Sequence, residues 1–200
     1  MLDILLRLGG VALTAAVLEN AVFTRALGDG GLRYNRFTPR QAVAQGLQTT
    51  FTTVFAALAG WLGEEIISNY YRMPIHLRPP VYLMVFVVFY AAAHLLVLFV
   101  PALAPLRRRA DLHPVVAFGY IPMATMLFIG YGTYTLAEAL VYGLGVGLGY
   151  LLAMLLTYQL RERSWFSQVP VPFQNLPIAL LYTGMVSLAL FGLLGHQPAI

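Results

Sequence analysis

The sequence predicts an all-α membrane protein with six transmembrane helices, arranged as two inverted three-helix repeats with interrupted half-helices. Three observations lead there. Of 200 residues, 60% are hydrophobic and only 10% charged, with a mean hydropathy of +0.75, whereas roughly a quarter of a soluble domain is charged. Six apolar runs, at 4–23, 42–63, 81–104, 114–130, 133–158 and 176–194, reach or approach the ~20 residues that cross a bilayer as helix. Two of them are interrupted, the first between Glu19 and Gly31 and the fourth between Pro122 and Gly132. No polar segment is long enough to bury a core of its own, so 1–200 is one integral membrane domain.

The first helix meets Glu19-Asn20, then Arg25, then Gly28, Gly30 and Gly31. Lipid penalises polar side chains and unpaired backbone. The break is therefore either a glycine-capped helix end beside the headgroups or half of a site within the membrane. No small-residue cleavage site follows the run, which reads as a first span and not a removed signal peptide. The second helix carries Gln45, Thr49 and Thr52 at helical spacing. In lipid that polar face turns inward to bond neighbouring helices, for packing or for an ion path.

The third helix is apolar and aromatic except for His94. A lone histidine there is a neutral hydrogen-bonded group, a proton relay or, lacking a second histidine on the span, a poor haem ligand. The fourth span is short and contains Pro122. Glu138 opens the fifth, placed either at the interface or toward a wet interior. Gly143, Gly145, Gly147 and Gly149 follow. No strand precedes them, so they do not form a nucleotide loop. On a helix, Gly143/Gly147 and Gly145/Gly149 are small pairs one turn apart that permit close backbone approach. Val169-Pro170-Val171-Pro172-Phe173 then makes a stiff turn into the last span.

Charge sets orientation. Lysine is absent, and arginines gather in the first loop (Arg25, Arg33, Arg36, Arg40), the third (Arg107, Arg108, Arg109) and the fifth (Arg161, Arg163). The positive-inside rule puts these loops in the cytoplasm and both termini outside. The halves, about 1–105 and 114–200, then hold three spans each and run in opposite directions. No basic stripe interleaved with aromatics occurs, which argues against nucleic acid. Cysteine is absent, excluding disulfides, thiolate nucleophiles and sulfur-held metal from this chain. No nucleophile with a base and no phosphate loop supports soluble-enzyme chemistry.

The run from Glu138 to Gly149, then Arg161-Glu162-Arg163, Val169 to Phe173 and Pro177-Ile178-Ala179-Leu180 resembles the membrane subunits of the Rnf/Nqr electron transport complexes. Gly46-Leu47 with Thr50-Phe51, Pro122 with Thr125, and Asn20, Val22, Arg25, Leu27 and Gly28 add to the likeness, which is nearest to the A subunit of Rnf, equivalent to the E subunit of Nqr. The resemblance implies a six-helix inverted repeat with half-helices meeting at midplane. It implies a bacterial inner-membrane complex that passes electrons from ferredoxin or NADH and moves sodium ions or protons. Its partners would be the other membrane subunits, above all the inverted paralogue, with flavin or iron–sulfur centres in those partners. In the family, the two paralogues share a 2Fe–2S cluster, and the cysteines contributed from this side fall here at Gly30 and near Met126. Neither offers a thiolate, so this chain is expected to hold no metal and no cofactor. The family's Asn-Asn pair is here Glu19-Asn20, which adds a carboxylate.

Three functions follow. One is membership of an ion-translocating complex without the cluster. Another is a non-redox transporter or ion-conducting protein that uses Glu19, Asn20, Arg25 and Glu138, and the third a purely structural paralogue.

Overall fold

The computed structural model describes residues 2–25, 39–70, 74–99, 119–165, 170–173 and 176–194, and among them the regular structure is entirely helical. Six α-helices follow in order: α1 Leu2–Leu13, α2 Pro39–Tyr70, α3 Arg78–Phe99, α4 Tyr120–Tyr131, α5 Leu136–Trp165 and α6 Leu176–Leu194. A π-helical turn, Thr14–Leu18, extends α1, and short 3₁₀ turns at Ile75–Leu77 and Val171–Phe173 precede α3 and α6.

Proline punctuates the starts. Pro39 opens α2, Pro79 and Pro80 lie in the first turn of α3, Pro122 in that of α4 and Pro177 in that of α6. The first N–H groups of a helix have no intrahelical acceptor, so a ring that lacks the N–H costs nothing there and its fixed φ favours helix. Pro122 follows the same rule. It stands where α4 begins, behind the extended Gly119, and α4 runs unbroken to Tyr131 before the backbone turns extended at Gly132.

Two stretches among the described residues are apolar and long enough to cross a bilayer, Ile75–Ala92 and Leu136–Gln159; Leu6–Leu18, Tyr120–Tyr131 and Leu180–Gly192 are shorter apolar helices. The expected first span, 4–23, is regular only to Leu18. Its break comes at Glu19–Asn20, ahead of Gly28, Gly30 and Gly31, which lie outside the described residues together with the arginine-rich third loop.

Close contacts give the helix directions. A Cβ on Gly143 would stand 3.0 Å from the Thr53 carbonyl, one on Gly147 would strike Thr50, and one on Gly46 would reach Leu151, so α2 and α5 run antiparallel. Gly145 lies on Ala12 and Gly149 on Ala16, so α1 runs parallel to α5. Gly60 abuts the Met126 carbonyl, while Gly63 and Gly130 share the Tyr82 ring, which makes α4 parallel to α2.

Two apolar clusters form the core. One gathers Val22, Phe23, Ile121, Ile129, Tyr142 and Tyr150 around the end of α1; the other places Ile67, Tyr82, Phe86 and Met126 between α2, α3 and α4. The second is tied by a polar clamp. The fully buried Tyr82 lies 2.6 Å from Glu64 Oε2 and 2.9 Å from the Gly130 carbonyl through its hydroxyl, and Arg78 donates to Glu64 at 3.1 Å. Tyr82→Phe leaves the ring in place but removes the clamp's centre. A loss of about 1–3 kcal/mol is expected from the stranded polar groups, measurable as a lower melting midpoint in detergent.

The threonines of α2 are buried, as their pattern suggests, but mostly bond their own helix. Thr49 and Thr50 donate to the carbonyls of Gln45 and Gly46, and Thr52 to that of Thr49. Thr53 alone of these crosses, its hydroxyl 2.8 Å from the Thr50 carbonyl and 2.9 Å from that of Gly143. Back-bonding satisfies a hydroxyl wherever the neighbouring helix is too close to admit another polar group. The side chain of His94 lies outside the described residues.

Candidate functional site: the break after α1

The π turn ends when the Glu19 amide donates to the Thr14 carbonyl at 2.7 Å. Asn20 then replaces the missing helix with its own side chain. Its amide nitrogen donates to the carbonyls of Ala16 at 2.8 Å and Gly149 at 3.0 Å. Its Oδ1 accepts from the amides of Val22 at 3.0 Å and Phe23 at 3.2 Å. Thr24 closes the turn by donating its hydroxyl to the Asn20 carbonyl at 2.7 Å. Asn20 is 1% exposed, and a buried amide satisfied on both ends is what permits the chain to break there.

Gly149, to which the break is tied, lies near the middle of the apolar stretch Leu136–Gln159. Glu19 and Arg25 flank it. Arg25 donates to Glu19 Oε2 at 2.9 Å, and Tyr142 on α5 donates to the same oxygen at 3.0 Å. The guanidinium also lies 3.8 Å over the ring of Phe128 on α4, a cation–π contact. The side chains of Glu19 and Arg25 remain 40% and 33% exposed. Tyr134, in the turn before α5, packs its ring 5.5 Å from that of Tyr142 and lies within electrostatic reach of Glu19, Arg25 and Glu138.

Of the sequence candidates, Glu19, Asn20 and Arg25 come together here. Glu138 does not join them. Its carboxylate accepts from the Thr135 amide at 2.9 Å and the Thr135 hydroxyl at 2.8 Å, and it pairs with Arg7 on α1. Thr135 and Glu138 form a capping box at the start of α5. A carboxylate there satisfies the first amides and faces the positive end of the helix dipole, so capping explains Glu138. Pro122 marks the start of α4. Met126, near the second position at which the resemblance places a cysteine, is 2% exposed, and its carbonyl lies against Gly60.

The four glycines divide between two neighbours. Gly143 and Gly147 admit α2, while Gly145 and Gly149 admit α1 and its π turn. Composition did not single out Tyr142, Phe128, Tyr134, Arg7 or Thr135. The Thr135-x-x-Glu138 spacing was a readable signal for the cap; the aromatic partners had none, because their roles depend on tertiary packing.

The chain matches the family described as "Rnf-Nqr subunit, membrane protein" over residues 10–196. It is 28% identical over 190 residues to a protein of Cereibacter sphaeroides (strain ATCC 17029) named as the A subunit of an ion-translocating oxidoreductase complex, covering 94% of this chain and 96% of the relative. A protein of the same name from Actinobacillus pleuropneumoniae serotype 5b is 28% identical over 188 residues, covering 92% and 94%. One from Erwinia tasmaniensis is 27% identical over 162 residues, covering 77% and 79%.

Proposed function

The chain belongs to the Rnf-Nqr family of membrane subunits, and from that membership we propose that it is a membrane subunit of an ion-translocating oxidoreductase complex that works without an iron–sulfur cluster of its own. The observation that carries the reading is the match across nearly the whole chain to relatives of that name. Its setting would be a bacterial inner membrane, with both termini outside the cytoplasm by the arginine distribution. Its partners would be the other membrane subunits, including an inverted paralogue, with flavin or iron–sulfur centres held by them.

The fold class fits. Two of the three corresponding helix pairs run oppositely, α2 against α5 directly and α1 against α4 through their shared neighbours. That is what an inverted repeat requires. The breaks of α1 and the start of α4 both line one apolar cluster, through Val22, Phe23 and Ile121.

The shared 2Fe–2S cluster that the resemblance implies does not fit this chain. Such clusters are held by thiolates, and the sequence contains no cysteine. Met126 offers at best a thioether inside a packed helix contact, and Gly30 carries no side chain. Electron transfer is therefore assigned to partners, and this subunit's own contribution is the polar break at mid-depth.

Affinity purification of the tagged chain from its native host tests the assignment. The expected result is co-purification of further membrane subunits of such a complex, with only background iron in the isolated chain. A chain that purifies alone under mild solubilisation would overturn the complex assignment. Stoichiometric iron in the isolated chain would overturn the cluster-free reading.

A further inference from the structure

We propose that Arg25 is a latch on the break: its side chain holds the far end of the turn against α4 and α5, and its release opens that end while Asn20 to Phe23 stay seated. The two ends of the turn are anchored by different physics. Asn20, Ala21, Val22 and Phe23 are all 5% exposed or less, and the Asn20 side chain bonds backbone groups of Ala16, Val22, Phe23 and Gly149. These are neutral bonds away from solvent, which salt barely weakens. The bonds of Thr24, from its amide and its hydroxyl, go to the Asn20 carbonyl and stay within the turn. Among the described residues, the polar ties that carry this end to other helices run through Arg25.

Both ties of Arg25 are of the releasable kind. The ion pair with Glu19 spans 2.9 Å, but its two side chains are 33% and 40% exposed. Exposed pairs bias an equilibrium by no more than about fivefold and weaken as salt is added. The second tie is the ring face of Phe128, 3.8 Å away, which the guanidinium leaves without breaking a hydrogen bond. Release strands nothing. The Glu19 carboxylate keeps the Tyr142 hydroxyl as its donor at 3.0 Å, and Arg25 exchanges Glu19 for water. Charged side chains this open in a membrane protein face a polar or water-filled space, not hydrocarbon.

What the latch controls is the way to Tyr142. That residue is 3% exposed, and its hydroxyl meets the same Glu19 oxygen that Arg25 holds. With Arg25 on Glu19 and Phe128, the turn after α1 is joined to both α4 and α5. With Arg25 released, the polar joins reduce to the Glu19–Tyr142 bond and the Asn20 seat, and the Tyr142 hydroxyl is reachable from the open side. The closed and open arrangements differ in the contacts of one side chain, with the seat and α5 unchanged.

The chain contains no cysteine, so introduced thiols are the only ones to label in the full chain in lipid nanodiscs. Spin labels at Thr24→Cys and at Leu148→Cys, an exposed position on α5, read the distance between the latched end and that helix by pulsed electron resonance. In dilute buffer one narrow distance should dominate. At high salt, or with Arg25→Gln in dilute buffer, the odds of a second, broader distance should rise about fivefold. Ala21→Cys, at a seated position, should react equally slowly with a charged thiol reagent in all three conditions. Circular dichroism establishes that the variants are folded. Distances that ignore either treatment would overturn the latch, as would a salt effect that persists in Arg25→Gln. Faster modification of Ala21→Cys would overturn it in favour of a turn that opens as a whole. Because the readouts belong to the chain itself, a negative result here leaves the co-purification test unaffected.

Discussion

Gly147→Leu should prevent the chain from accumulating as a folded membrane protein. A Cβ at this position lands on the Cα and Cβ of Thr50, and a backbone atom in the middle of a 32-residue helix cannot step aside as a flexible side chain would. Overpacking of a well-filled core typically costs about 1–3 kcal/mol. Here the whole α2–α5 contact must separate, so the loss is expected at or above the top of that range. Gly184→Ala on α6 is the control: nothing lies within 4 Å of its Cβ, and the exchange should be neutral or slightly stabilising, because alanine is the better helix former by about 1 kcal/mol. Monodisperse yield in detergent and the melting midpoint read both variants. Equal behaviour of the two would mean that the helices do not approach this closely.

Substitution of Asn20 should be nearly as severe, and its pattern is diagnostic. Asn20→Leu fills the space but leaves the amides of Val22 and Phe23 without their acceptor, at about 1–3 kcal/mol for each stranded donor. Asn20→Asp keeps that acceptor, yet it sets a carboxylate oxygen against the carbonyls of Ala16 and Gly149, where the native amide donates at 2.8 and 3.0 Å. Burying a charge against two acceptors costs more than losing neutral bonds. Asp is therefore expected to be worse than Leu in melting midpoint, although it is nearly isosteric with Asn. The reverse order would show that Asn20 acts mainly through its Oδ1.

Much of this was legible in the sequence. Composition gave the membrane class, and the spacing of Gly143 to Gly149 told helix packing from a nucleotide loop because glycines two apart on a helix serve different faces. Glu19-Asn20 was recognisable as a break because lipid tolerates such a pair only for a reason. The position of the break was less legible. The glycines look like the stronger signal, but the interruption begins where a single amide side chain can satisfy four backbone groups at once, and that depends on Gly149 being 129 positions away in sequence. Glu138 was open for the opposite reason: a carboxylate in an apolar run fits both a helix end and a wet interior until the helix start is placed at Leu136, where it serves as a cap. The aromatic partners of Arg25 and Glu19 were invisible, since nothing local distinguishes Phe128 and Tyr142 from lipid-facing aromatics.

The division of the four glycines between two neighbours also fixes what α5 can do mechanically. If α5 slid by one helical turn, a travel of about 5.4 Å, one of the two seams would always jam. In one direction Leu151 would enter the notch that Gly147 presents to Thr50; in the other, Val141 would enter the notch that Gly145 presents to Ala12. Rotation about its own axis is blocked likewise, since it carries a leucine or valine into a slot sized for a hydrogen atom. Helix α5 is thus a mast locked in register on two sides. Any rearrangement among these helices must therefore be carried by elements other than α5, moving against a post that stays still.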